Sequence, residues 1–261
     1  MDELIWKSCE AYMKYEELLL KRDQLLKDAR SIHIAYMKEF GDLMLEVYEM
    51  KIECIKKKKM IAFCQTALNH CMPIDLSEVK NYIERAMVFY NRQLQEMLAD
   101  RKQAEGAKRT PDYKVERAKR TYRRLAKTLH PDINPEVVAN PEIAELWTRI
   151  TVAYHCNDDV ELENLEILAR RVLKACGMSD VPVEITNISE RIERLEEEIN
   201  AILTSEPYIF EEFLTDPEKF EMRKEMYRKE LAEYRAYSQE LADVLRKMLI
   251  EGGAEFVWIE N

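Results

Sequence analysis

YRRLAKTLHPDINPE, residues 122–136, is a basic segment that runs into His-Pro-Asp and stops. On a helix, Val115, Ala118, Tyr122, Leu125 and Leu129 form one apolar seam, and Arg117, Arg120, Arg124 and Lys127 line the opposite side. Pro131 has no amide to continue the ladder and disfavours helical geometry at His130, so the helix must end there. A second proline follows at 135. Asn140 then suits an N-cap, with Pro141 in the first helical position and Glu142 favourable to the helix dipole. Ile143, Leu146, Trp147, Ile150 and Tyr154 give the next helix a complementary apolar face. The reading is two antiparallel helices packed face to face, with His130 and Asp132 projecting from the tip.

Working outward, the rest of the chain is also helical in pattern. Only 5 Gly and 8 Pro among 261 residues, with 34% charged, supply too little turn material for an all-β fold. Leu43, Val47, Met50, Cys54, Ile61, Cys64, Leu68 and Cys71 make a coiled-coil stripe interrupted by Lys57. A helix over about 4–40, with Ile5, Cys9, Tyr12, Leu19 and Leu26 among its apolar positions, precedes it. Gly41-Asp42 is the expected break, allowing a helical hairpin. Asp75 caps a third helix over about 76–106 that would bury Val79, Ile83, Ala86, Tyr90, Leu94 and Met97. Beyond 177, MSDVPVEIT reads as a linker. Two further seams, Ile188 to Ile202 and Tyr227 to Met248, suggest the arms of a C-terminal hairpin. The expected fold is therefore all-α: long hairpins or coiled coils flanking one short antiparallel pair. The expected regions are 1–107, 111–177, 186–250 and an extended tail at 252–261.

Charge and composition exclude several functions. The net charge is −10, yet residues 108–130 hold nine basic side chains against two acidic ones. A basic island on an acidic chain addresses an acidic protein surface. Nucleic acid is not expected, because Tyr122 of the basic helix lies on the buried seam and offers no stacking platform. Six cysteines without a C-x-x-C pair, and no signal-peptide pattern, suggest reduced, mostly buried thiols in a cytoplasmic protein. No metal, cofactor or membrane span is expected. Catalysis is not expected either, since no nucleophile motif, phosphate loop or H-E-x-x-H occurs.

The segment from about 117 to 157 resembles the helix II, loop and helix III core of a J domain, the module by which DnaJ-type co-chaperones engage DnaK-type chaperones. The family pattern reads roughly K-x-x-Y-R-K-L-A, then H-P-D, then F-x-x-I-x-x-A-Y. Here KRTYRRLAKTLHPDIN and WTRITVAY supply Tyr122, Leu125, Ala126, His130, Pro131, Asp132 and Asn134. Trp147 takes the phenylalanine position, with Ile150, Ala153 and Tyr154 in register. The family's first helix, of D-Y-Y-x-x-L-G type, has no counterpart at the usual spacing, so its packing surface must come from elsewhere. Ile133 stands where a lysine usually follows H-P-D.

The resemblance implies that Arg117, Lys119, Arg120, Arg123, Arg124 and Lys127 dock on an acidic groove of the chaperone. Tyr122 and Asn134 belong to the same site. His130, Pro131 and Asp132 then insert beside the chaperone's interdomain linker, where Asp132 competes for a charged partner, and ATP hydrolysis by the chaperone accelerates. The coiled-coil arms would bind an unknown client, form a homodimer or set location. The alternative is a scaffold in which the J-like pair is a packing unit and the chaperone contact is lost.

Overall fold

Caps and prolines set the helix ends in the protein, a computed structural model that describes residues 2–107, 110–135, 139–175 and 187–253. Among the described residues every regular element is helical, as the composition requires. The helices are α1 (Asp2–Asn69), α2 (Leu76–Gly106), α3 (Asp112–Leu129), α4 (Pro141–His155), α5 (Asp159–Ala175) and α6 (Ile188–Thr204). A 3₁₀ turn at Tyr208–Phe210, the short α7 (Glu211–Thr215) and α8 (Pro217–Glu251) complete them. The chain divides into two compact units, one formed by 1–31 with 108–209 and one by 32–107 with 210–261. The two arms expected as a C-terminal hairpin, α6 and α8, thus belong to different units. The expected linker at 178–186 and most of the expected tail lie outside the described residues, as do the side chains of Ile5 and Cys9.

Gly41 does not break α1, which runs without interruption over 68 residues. A Cβ at Gly41 would lie 2.6 Å from Arg101 Cδ, so the glycine admits a close approach by α2. Arg101 then forms a fork onto Asp42, at 2.8 and 3.0 Å. The hairpin expected inside residues 1–71 is instead formed by α1 and α2. Asp75 caps α2 by accepting from the amides of Ser77 and Glu78. On α2, Val79, Ile83 and Met87 are buried, whereas Ala86, Tyr90, Leu94 and Met97 are only half-buried.

In the unit built on 32–107, α8 lies parallel to α1. Contacts climb together along both helices: Tyr36 with Tyr227, Glu46 with Arg235, and Lys57 with Ser238. Lys57, the interruption in the coiled-coil stripe, donates to Ser238 Oγ at 2.7 Å and to its carbonyl at 3.3 Å. The two polar residues form one matched layer within the apolar seam. Cys54 and Cys64 are buried there. Cys71 and Cys156 are exposed, so the described thiols divide evenly between core and surface, and the side chains of Cys9 and Cys176 lie outside the described residues.

In the other unit, α3, α4 and α5 share a core of Ala118, Tyr122, Leu125, Leu129, Ile150 and Leu162 with their neighbours. The ring contacts Tyr122–Tyr154 and His130–Trp147 run in opposite directions along the two chains, so α3 and α4 are antiparallel. Residues 15–27 of α1 lie on this pair. Leu20 packs on the core, and Tyr154 donates its hydroxyl to Gln24 Oε1 at 2.8 Å. On this stretch Leu19 is fully buried but Leu26 faces solvent, contrary to the apolar seam expected for it.

Candidate functional site: the His-Pro-Asp tip

At the end of α3 the His130 amide donates to Ala126 O, and the amides of Ile133 and Asn134 both turn back to His130 O at 3.0 and 2.8 Å. The proline-imposed stop is thus a tight, hydrogen-bonded turn. Asn134, expected at the chaperone contact, is buried and donates through Nδ2 to Thr128 O at 2.7 Å. It thereby satisfies a carbonyl that the end of the helix leaves open.

His130 does not project from the tip. It is 5% exposed, edge-on to Trp147, with ring centres 5.1 Å apart. Its Nδ1 accepts the Asp132 amide at 3.1 Å, which in a neutral ring leaves the proton on Nε2. Nε2 faces Asp23 Oδ2 of α1 at 3.6 Å. Tyr122 donates its hydroxyl to the same oxygen at 2.6 Å. Burial pushes the Asp23 carboxyl up, but His130, Tyr122 and Arg22 together hold it below the ordinary carboxylate value. Burial and the Asp23 charge raise the Tyr122 phenol well above its usual range, so it remains a donor.

Ile133, expected on an exposed tip, is 0% exposed. It sits among Tyr15 and Leu19 of α1 and Ile192 and Leu195 of α6. That contact explains an apolar residue after His-Pro-Asp. Asp132 is the part of the motif that reaches solvent. Its carboxylate faces Arg22 Nη1 at 3.5 Å, and its carbonyl accepts from Arg191 at 3.5 Å.

The basic face of α3 is largely exposed, and half of its six predicted docking cations are paired within the chain. Arg117 grips Glu163 through two bonds of 2.6 Å, and Arg124 grips Glu166 at 3.0 and 2.8 Å. Lys127 meets Glu16 at 2.7 Å. Lys119, Arg120 and Arg123 have no carboxylate within ion-pair distance among the described residues. Sequence reading missed Glu16, Arg22 and Asp23 on α1 and Glu163 and Glu166 on α5. The acidic run ELENLE offered a signal for the last two. Nothing local marks the first three.

No family model, no curated protein and no solved structure matches this chain. The site must therefore be judged on its own geometry. Among the described residues no group of three or more His, Cys, Asp or Glu side chains is placed to hold a metal ion. Among them also, no helix is long and apolar enough to cross a membrane.

Proposed function

We propose that this protein is a J-domain-like co-chaperone that engages a DnaK-type chaperone through α3 and the His-Pro-Asp turn and speeds its ATP hydrolysis. The observation that carries the reading is register. Tyr122 stacks on Tyr154 at 3.9 Å and 7°, and His130 meets Trp147. The antiparallel pair is therefore built by the residues on which the family resemblance rests, with the motif at its tip. The cations of α3 would steer association with an acidic surface, and Asp132, partly solvent-exposed, is the member of the motif positioned to exchange partners. The helices of the second unit would serve client binding or assembly.

A second reading, a scaffold whose J-like pair only packs, is favoured by the burial of His130 and Ile133. The test is single-turnover ATP hydrolysis by a DnaK-type chaperone, with the full chain titrated to saturation at two salt concentrations. Acceleration that weakens with salt and is lost in Asp132→Asn supports the co-chaperone. Asp132 is half-exposed, so this variant keeps its fold where His130→Gln risks losing it. No acceleration at saturation favours the scaffold.

A further inference from the structure

Several groups that the co-chaperone reading assigns to the partner are met by a complementary side chain of α1. Lys127, a cation meant for an acidic groove, meets Glu16 at 2.7 Å. Tyr122 and His130 converge on the Asp23 carboxylate. Asp132, which should find a cation on the chaperone, finds Arg22 at 3.5 Å. Carboxylates thus face the donors and a guanidinium faces the acid, the pattern that a partner surface would have to present. Tyr15 and Leu19 close the contact over Ile133.

We infer that residues 12–27 of α1 act as a cis competitor for the docking face, holding the His-Pro-Asp tip closed until the partner displaces them. This rests on the co-chaperone reading and concerns how the same site is regulated.

The closed contact is incomplete in ways that favour release. Lys27 Nζ on α1 and Asn134 Oδ1 at the tip are buried with no hydrogen-bond partner. Lys27 Nζ regains water when α1 lifts, and buried polar groups without partners oppose the state that buries them. An open groove of about 1000 Å³, lined by Met13, Leu20, Lys21, Arg123 and Lys127 among others, runs beside the Glu16–Lys127 bridge. One side of the α1 seat is therefore unfilled. The Glu16–Lys127 and Arg22–Asp132 pairs are also partly exposed, so each holds weakly and yields to competition. By contrast, α5, which pairs with Arg117 and Arg124, shares the main core with α3 and stays in place.

The variant that tests this is Arg22→Glu, which sets a fourth carboxylate against Asp23, Asp132 and Glu198. Arg22→Lys is the conservative control. A zero-length carbodiimide crosslink between Glu16 and Lys127, mapped by mass spectrometry, reports whether α1 is seated. Circular dichroism checks that helicity is kept. In the full chain the crosslink forms in the wild type and in Arg22→Lys and falls in Arg22→Glu. The concentration giving half-maximal stimulation of the chaperone then drops about tenfold in Arg22→Glu, at the same maximum rate. Equal half-maximal concentrations, with the crosslink lost, overturn the cis competitor and leave the co-chaperone reading standing. Absence of the crosslink in the wild type overturns it as well. No stimulation by either protein, with α1 shown to be released, overturns the co-chaperone reading and the competitor with it.

Discussion

Replacing Lys27 by methionine should stabilise the unit built on 1–31 and 108–209, and the gain should depend on pH. Lys27 is 5% exposed and its Nζ has no hydrogen-bond partner, lying 3.9 Å from the centre of the Tyr154 ring. Burial lowers its pKa from 10.5 to about 8, with Lys119 contributing and Asp28 and Glu116 opposing. At 1.36 kcal/mol for each tenfold change, that displacement corresponds to about 3 kcal/mol against the folded state when the amine is charged. The unfolded chain binds the extra proton between pH 8 and 10.5, so this cost is complete below pH 8 and fades as pH rises through that window. Methionine keeps the length of the side chain and removes the charge, at the loss of a cation–π contact of about 0.5–2 kcal/mol. The net gain at pH 7 is about 1–3 kcal/mol, or roughly 2–4 °C in Tm for each kcal/mol. Thermal unfolding of both proteins by circular dichroism at pH 6, 8 and 10 measures it, the difference between them removing contributions from other groups. A methionine variant less stable at pH 7, or a gain that does not shrink between pH 8 and 10, would refute the reasoning.

Three further substitutions test the packing account. Ile133→Ala should destabilise the same unit by about 2–5 kcal/mol, since it hollows a fully buried site, and urea unfolding read by circular dichroism checks this. Asp23→Asn should cost about 1–3 kcal/mol at pH 7. Because the folded-state pKa of Asp23 is depressed, its contribution is present above the ordinary carboxylate value and lost as pH falls through the folded one. The acid limb of stability, below the ordinary carboxylate value, should therefore flatten in the variant, and an unchanged limb would remove Asp23 from the account. In the other unit, Ser238→Ala strips Lys57 of its side-chain acceptor and should cost about 1 kcal/mol, seen as a lower urea midpoint at unchanged slope.

The α3 and α4 seams were legible because a 3.6-residue period and a proline stop are local properties. Val115 to Leu129 and Ile143 to Tyr154 needed no distant information. Gly41 was misread for an instructive reason. A glycine in a helical pattern marks a hinge or a close approach equally well, and only the position of Arg101 decides between them. Lys57 and Ser238 were each visible as irregularities, but their pairing across 181 residues was not. His130 shows the same limit more sharply. Its motif could be found by eye, but its burial depends on Asp23, a residue 99 positions before Tyr122 that shares the same acceptor oxygen. Ile133 was the one local hint, an apolar side chain where a free tip would carry charge.

The most direct test of the central claim is the rate of single-turnover ATP hydrolysis by a DnaK-type chaperone, read against rising concentration of the full chain. A saturable acceleration, abolished by Asp132→Asn and reached at lower concentration by Arg22→Glu, is the predicted result. A rate that stays at the chaperone's basal value for all three proteins, with each shown to be folded, would contradict it.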